Sequence, residues 1–290
     1  MAPTTIPPIR SSIARVFAGT ATGQLLTLLA LPVIARIYGP RDIGALALFA
    51  GLATTIASVA SFRYEAAIAL PRSRRAAIAL THLSVSLAII TSVATAILTL
   101  VAHRWVPRGV VTMPPVLLAF NVLGTALYNI AIANNARTHA YTLVAATQFA
   151  HAASRALLPL AFALYSPTTL SLMLSNAVAP FVGLFPALYQ LQRRGRGRSY
   201  ALLPPLSITL RVAAQYRSFP LWSAPASLAN TASCYIPTFV VGHLYGLSTA
   251  GMFALAERAL SLPRLKFTIR TGTKWICQIM KRMKRAKPPM

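Results

Sequence analysis

Acidic residues are almost missing from this sequence: Asp42, Glu65 and Glu257 stand against 28 lysines and arginines in a chain of 290 residues. So few carboxylates poorly support metal-dependent glycosyl or phosphoryl transfer. Cysteine is equally scarce, and the spacing of Cys234 and Cys277 matches no metal site, redox motif or disulfide framework. The sequence contains no recognisable nucleophile–base pair or phosphate-binding loop. We therefore expect neither enzymatic activity nor a cofactor.

Charged residues of either sign are few. They form 11% of the chain, whereas soluble domains carry about 25%, and hydrophobic residues form 56%. The net charge of +25 would suit nucleic acid, but the basic residues lie between apolar runs rather than on one soluble face. Loops that face anionic lipid explain this distribution better. The composition predicts an integral membrane protein whose partner is the lipid bilayer and not nucleic acid.

Apolar segments near the ~20 residues needed to cross a bilayer recur along the chain and predict an all-α membrane fold. We assign eight spans, at 17–35, 43–62, 76–102, 115–133, 141–165, 168–191, 219–241 and 248–263. Most arginines fall in the loops on the N-terminal side, and the opposite loops have only Arg36, Arg41, Arg104 and Arg108. The positive-inside rule therefore predicts that both termini are cytoplasmic.

A short motif at the first loop occurs twice in the chain. Tyr38-Gly39-Pro40 separates two apolar runs and predicts a helical hairpin, with Gly39 in the left-handed position after a helix and Asp42 capping the next one. The pattern [Ile/Leu]-Tyr-Gly-x-x-x-[Ile/Ala]-Gly-x-x-Ala-Leu returns at Tyr245, 207 residues after Tyr38. An even number of spans separates the copies. They therefore predict two parallel lobes related by an axis along the membrane normal, although chance recurrence stays an alternative.

The spans and the repeat together divide the chain into five regions. These are a cytoplasmic lead at 1–16, a six-helix lobe at 17–192, a basic cytoplasmic linker at 193–218, the first hairpin of a second lobe at 219–263 and a basic cytoplasmic tail at 264–290.

Polar side chains recur at helical spacing inside the spans and are the candidate substrate-binding residues of a cavity. Gln148, His151 and Arg155 share one face of the fifth span at i, i+3 and i+7. An arginine near the bilayer centre costs ~2.5–3.5 kcal/mol on insertion scales, so Arg155 should face protein or a water-filled cavity. There it could hold a phosphate bidentately, or it could reach an interface or bond backbone carbonyls.

Three further candidates lie on other segments: Gln24 in the first span, Asn121 in the fourth and Arg63 after the second. For the uncharged polar positions, hydrogen bonding between helices is the competing interpretation. For Arg63 it is a plain interfacial charge. Because residues two apart do not face each other on a helix, Arg63 and Glu65 are not expected to form an ion pair.

Three segments carry a resemblance to a known family. They are Phe17 to Leu25 continuing through Arg36-Ile-Tyr-Gly-Pro-Arg-Asp-Ile-Gly44, then Arg63-Tyr-Glu-Ala-Ala-Ile-Ala-Leu-Pro71, and finally Leu244-Tyr-Gly through Ala259-Leu-Ser-Leu-Pro263. Over about 10–263 the chain resembles bacterial polysaccharide-biosynthesis membrane proteins of the O-antigen flippase type. These belong to the multidrug/oligosaccharidyl-lipid/polysaccharide exporter superfamily.

The resemblance implies two six-helix lobes around a central cavity in the bacterial inner membrane. It also implies a substrate, a polyprenyl-diphosphate-linked oligosaccharide such as an O-antigen or exopolysaccharide unit, turned across the membrane by alternating access. Arg155 and Arg63 are the positions that could hold its anionic head.

The 207-residue offset predicts a complete two-lobe chain of roughly 410 residues by the logic of internal repeats. The family-like text is expected to stop at Pro263. We hypothesise that 264–290 is read from a shifted or interrupted frame, and we expect this form to transport poorly or not at all.

Three other functions stay open. Drug or ion export within the same superfamily is one of them, and the scarcity of acidic cavity residues for proton or sodium coupling disfavours it modestly. An integral-membrane enzyme of polysaccharide assembly usually needs a large external loop, which the predicted topology lacks. A non-transporting assembly component would use the basic tail to bind lipid or other polysaccharide-assembly membrane proteins.

Overall fold

The computed structural model describes residues 9–105, 113–193, 205–258 and 260, and these residues form helices and turns without a strand. The elements are α1 (Ile9–Ile37), α2 (Pro40–Ala57), α3 (Tyr64–Ala67), α4 (Arg74–Trp105), α5 (Pro115–Arg137), α6 (Tyr141–Ala163), α7 (Thr169–Arg193), α8 (Leu206–Gln215), a π-helical turn (Phe219–Ser223), α9 (Ala224–Tyr245) and α10 (residues 247–258). The predicted all-α membrane fold is confirmed.

Three of the described helices are long and apolar enough to cross a membrane. They are Arg74–Ala102 in α4, Pro115–Arg137 in α5 and Thr169–Tyr189 in α7, and α1 has a shorter apolar part, Ala21–Ile37. The predicted second span is too long at its end, because α2 stops at Ala57 and turns follow. The number of eight spans stays a prediction.

Small residues set how closely the first seven helices pack. α1 lies along α6, and a Cβ atom on Gly23 would be 2.6 Å from the Cβ of Ala152. α7 packs against both α6 and α5, and α4 packs against α5. The core includes Tyr38 and Phe49, which are almost fully buried. Close approach through small residues is typical of membrane helices, where packing replaces the hydrophobic effect between helices.

The first hairpin differs from its predicted geometry. Gly39 has φ −64° and ψ 160°, so it is extended rather than left-handed, and it is the N-cap of α2 with Pro40 at the first helical position. No side chain caps the helix. The Asp42 carboxylate instead accepts a hydrogen bond from Thr169 Oγ1 and ties α2 to the start of α7. In the second hairpin, Gly246 does take a positive φ of 84°.

The predicted basic linker contains a helix. α8 packs against α4 and buries Val212. The Tyr64 hydroxyl donates a hydrogen bond to the Ala213 carbonyl at 3.3 Å, and burial raises the pKa of Tyr64. The predicted tail, 264–290, lies outside the described residues, while α1 already begins at Ile9, inside the predicted lead.

Candidate functional site

The two copies of the repeated motif meet face to face. A Cβ atom on Gly44 would overlap the carbonyl oxygen of Leu247, and a Cβ atom on Gly251 would overlap that of Pro40. Gly251 lies 207 residues after Gly44, and Leu247 lies 207 residues after Pro40. The two contacts are therefore equivalent under the repeat, and a local two-fold axis passes between α2 and α10. We call this contact the glycine crossing.

A cavity of about 240 Å³ lies next to the glycine crossing, one helical turn further from the hairpin tips. Four helices contribute its lining: α2 (Ala47, Ala50), α6 (Arg155), α9 (Cys234, Tyr235, Thr238) and α10 (Ala254, Glu257, Arg258). The repeat relates Ala47 to Ala254 and Ala50 to Glu257. The cavity thus lies between α2 and α6 on one side and the second hairpin on the other, and we call it the arginine cavity.

The charges of the arginine cavity come from helices outside α2. Arg155 is supplied by α6, and Glu257 and Arg258 come from α10 at positions where α2 has Ala50 and Gly51. The charge of Arg258 interacts with those of Arg155 and Glu257. Among the described lining residues, two guanidinium groups face one carboxylate, so the cavity has an excess of positive charge. Planar guanidinium groups bind phosphate and carboxylate oxygens bidentately.

His151 lies at a helix interface rather than in this cavity. Its ring packs against that of Tyr128, with centroids 4.5 Å apart, and a Cβ atom on Gly183 would be 2.8 Å from the His151 Cβ. The His151 Nδ1 atom is buried and has no hydrogen-bond partner in the described parts of the chain. Since Tyr128 is on α5 and Gly183 on α7, His151 belongs to the contact of α6 with both helices.

Asn121, Gln148 and Gln24 also lie away from the arginine cavity. Asn121 is buried, and its Nδ2 donates to Asn176 Oδ1 at 2.8 Å, which joins α5 to α7. This geometry matches the competing interpretation of hydrogen bonding between helices. Gln148 and Gln24 are half-buried on α6 and α1. The backbone carbonyl of Gln148 lies beside Gly23 in the α1–α6 contact.

Arg63 forms the ion pair that helical spacing argued against. Arg63 Nη1 is 3.4 Å from Glu65 Oε1, and the Ser61 hydroxyl hydrogen-bonds the same carboxylate. The expectation was wrong because the residues do not share a helix: Arg63 has φ 61°, a left-handed conformation just before α3. Arg63 is absent from the described lining of the arginine cavity.

A family model described as a polysaccharide biosynthesis protein matches residues 33–271 of the chain. The chain belongs to this family. It is a membrane protein of polysaccharide biosynthesis. Both Tyr-Gly turns, the glycine crossing and every described lining residue of the arginine cavity fall inside the matched range. No curated protein and no solved structure matches the chain.

The matched range differs from the expected one at both ends. The polysaccharide biosynthesis family match begins at 33 rather than near 10, and it continues to 271, eight residues beyond Pro263. The expectation that family-like sequence stops at Pro263 was therefore wrong. The first part of the predicted tail belongs to the matched region.

Sequence reasoning missed most of the polar lining of this family member's cavity. Glu257 was counted only among the three acidic residues, and Arg258, Tyr235 and Thr238 were not selected as candidates. A signal was present, because Ser227, Asn230 and Cys234 recur at helical spacing along α9. Extending that pattern by one turn would have reached Thr238.

Proposed function

We propose that this polysaccharide-biosynthesis protein is built to flip a polyprenyl-diphosphate-linked oligosaccharide across the bacterial inner membrane. The observation that carries the proposal is the arginine cavity on the interface of two repeat-related hairpins. Transporters built from repeats commonly bind their substrates at the repeat interface. The family match supports a role in polysaccharide biosynthesis, and a lipid-linked oligosaccharide is a substrate that suits this role.

The chemistry of the cavity suits the charged head of this substrate. A diphosphate offers several anionic oxygens, and Arg155 and Arg258 can donate to them as planar forks. The Tyr235 and Thr238 hydroxyls are further donors on the same lining. The volume of about 240 Å³ is below the ~300–1,000 Å³ of typical ligand sites. We therefore assign the cavity to the diphosphate and not to the glycan.

The position of the glycine crossing supports alternating access. In this structure the crossing joins α2 to α10 on the side of the cavity that faces the hairpin tips. Separating the two hairpins would open that side, while the positive lining would retain the diphosphate. We propose that movement about the local two-fold axis alternates between these arrangements.

Binding of undecaprenyl diphosphate to the purified protein in detergent tests the cavity. Replacing Arg155→Gln removes a charge-assisted donor pair, and such bonds contribute about 1.5–3 kcal/mol, so the affinity should fall roughly 10- to 100-fold. Arg155→Lys keeps the charge without the planar fork and should be intermediate. The matched control is Arg36→Gln, an exposed arginine outside the described lining, which should bind normally.

Unchanged affinity in both Arg155→Gln and Arg258→Gln would contradict this assignment. A second assay in proteoliposomes would follow a labelled lipid-linked saccharide from one leaflet to the other. Flipping leaves the saccharide covalently unchanged. Recovery of a lengthened or cleaved glycan would contradict the flippase and favour an enzyme.

A further inference from the structure

A second pocket, of about 440 Å³, lies within the first lobe. α5 forms its floor, and α4 and α7, which both pack against α5, form its walls. Its lining is mainly apolar and includes Val85, Leu127, Ile130, Ala131, Phe181 and Leu184. None of the described residues that line it also lines the arginine cavity. It therefore needs an explanation of its own.

The polar residues of this pocket are gathered at one end. They are Thr81, His82, Asn134 and Asn135. The same end of the bundle carries Arg74 and Arg75 at the start of α4. Leu127 lies about two helical turns deeper than Asn135 on α5. One end of the pocket is therefore polar and lies near basic side chains, whereas its deeper part is apolar. A phospholipid has the same arrangement, with a polar headgroup and apolar chains.

Asn135, which lines the polar end of the pocket, has a buried side-chain donor without a partner among the described residues. The residue is 6% exposed, and its Nδ2 has no hydrogen-bond partner among the residues that the structure describes. The neighbouring Asn134 is different, because its Nδ2 donates to the Ile130 carbonyl at 3.0 Å and its Oδ1 accepts from Thr81 at 3.1 Å. A buried donor without a partner is unfavourable. An oxygen acceptor on a bound molecule would satisfy it.

The surroundings of the pocket favour a bilayer lipid as that molecule. Only 17% of the apolar window of α4 is buried, so this wall belongs to a helix that largely faces outward. The volume of the pocket falls within the ~300–1,000 Å³ of ligand sites. Arg74 and Arg75 are exposed and can attract an anionic headgroup.

We propose that this pocket holds one acyl chain of an anionic phospholipid, whose ester carbonyl accepts a hydrogen bond from Asn135 Nδ2. The apolar lining covers the chain, and the exposed arginines lie near the phosphate. This site is separate from the proposed diphosphate site and does not depend on flippase activity.

Thermal unfolding of delipidated protein, with dioleoyl phosphatidylglycerol added back, tests the proposal. The wild type should be stabilised by the lipid. Asn135→Leu removes an unfavourable unpaired group, so without lipid it should be at least as stable as the wild type. It also removes the donor to the lipid, so it should need roughly three- to tenfold more lipid for the same rise in unfolding temperature. Ala131→Phe fills the pocket and should abolish the shift. Leu98→Phe, on the exposed face of α4, is the matched control and should respond like wild type.

Equal lipid dependence in the wild type, Asn135→Leu and Ala131→Phe would overturn the proposal. Equal stabilisation by dioleoyl phosphatidylcholine would overturn its choice of an anionic headgroup. A shift produced by undecaprenyl phosphate but not by phosphatidylglycerol would overturn the phospholipid and reassign the pocket to an isoprenoid chain.

Discussion

The backbone conformation at Arg63 brings its side chain to a buried carboxylate. Arg63 takes a left-handed φ of 61° at the turn before α3, which lets its side chain reach Glu65. Glu65 is 7% exposed and is also hydrogen-bonded by Ser61. A buried carboxylate requires such partners. The strained backbone at Arg63 is therefore compensated by the pairing of a buried charge.

Replacing Arg63 by glycine and by alanine separates these two effects. Both variants lose the ion pair, but only alanine retains the steric cost of the left-handed region, ~1–2 kcal/mol. We expect Arg63→Gly to be more stable than Arg63→Ala by about 1 kcal/mol, measured by reversible unfolding in mixed detergent micelles.

The control pair for that experiment is Arg72→Gly and Arg72→Ala. Arg72 is exposed and is not among the positive-φ residues of the described chain. Glycine should bring no advantage there. A glycine that is no better than alanine at position 63 would show that the left-handed backbone carries no cost.

At the scale of elements, the glycine crossing determines how the two hairpins meet. Gly44 and Gly251 permit backbone contact between α2 and α10. A Cβ atom at either position would overlap a backbone carbonyl oxygen of the facing hairpin. The surrounding tyrosines do not follow this symmetry. Tyr38 is buried and donates to the Pro159 carbonyl at 2.9 Å, whereas Tyr245 is 70% exposed. The symmetry of the described chain is thus local to the crossing.

Substitution of Gly44→Ala should separate α2 from α10. The added methyl group overlaps a backbone carbonyl, which cannot rotate away as a side chain could. The assay replaces Ala47 and Ala254 by cysteine in a chain whose native cysteines are serine, and a short bifunctional reagent crosslinks the pair. We expect Gly44→Ala to lower the crosslinking yield at least severalfold.

Gly39→Ala is the matched control for the crossing. At Gly39 the nearest atom to a Cβ would be Asp42 Oδ2 at 3.9 Å, and φ is negative. The crosslinking yield should equal that of the same double-cysteine chain without a glycine substitution. A yield for Gly44→Ala equal to that of Gly39→Ala would mean that the hairpins do not meet through this contact.

At the scale of the whole molecule, basic residues distinguish the two ends of the bundle. Arg72, Arg74 and Arg75 surround the start of α4. The turn between α6 and α7 lies at the other end and exposes Leu164 and Tyr165 almost fully. The positive-inside rule predicts that the first end is cytoplasmic.

Cysteine labelling in intact cells tests this orientation. With the native cysteines replaced by serine, a membrane-impermeant maleimide should modify Tyr165→Cys, because this position is predicted to be periplasmic. Ser73→Cys should react only after the inner membrane is permeabilised. Labelling of Ser73→Cys alone in intact cells would reverse the topology and would place the glycine crossing on the cytoplasmic side.

Local patterns predicted the helices well because they report local physics. A backbone in lipid must satisfy its own hydrogen bonds, so an apolar run near bilayer length implies a helix. The start of α5 and both ends of α6 are close to their predicted limits for this reason. The repeated Tyr-Gly motif likewise identified both hairpins. The turn after Ala57 was missed, since the apolar pattern continues through it while the backbone does not stay helical.

The sequence by itself therefore determined the all-α membrane class, the paired hairpins and the excess of positive charge. Only the tertiary structure decided that Gly44 meets Leu247, that Arg155 and Arg258 share a cavity, and that His151 and Asn121 pack between helices. Spacing along a helix tells which residues share a face. The rotation and crossing of neighbouring helices, set by contacts between residues far apart in the chain, decide what that face meets.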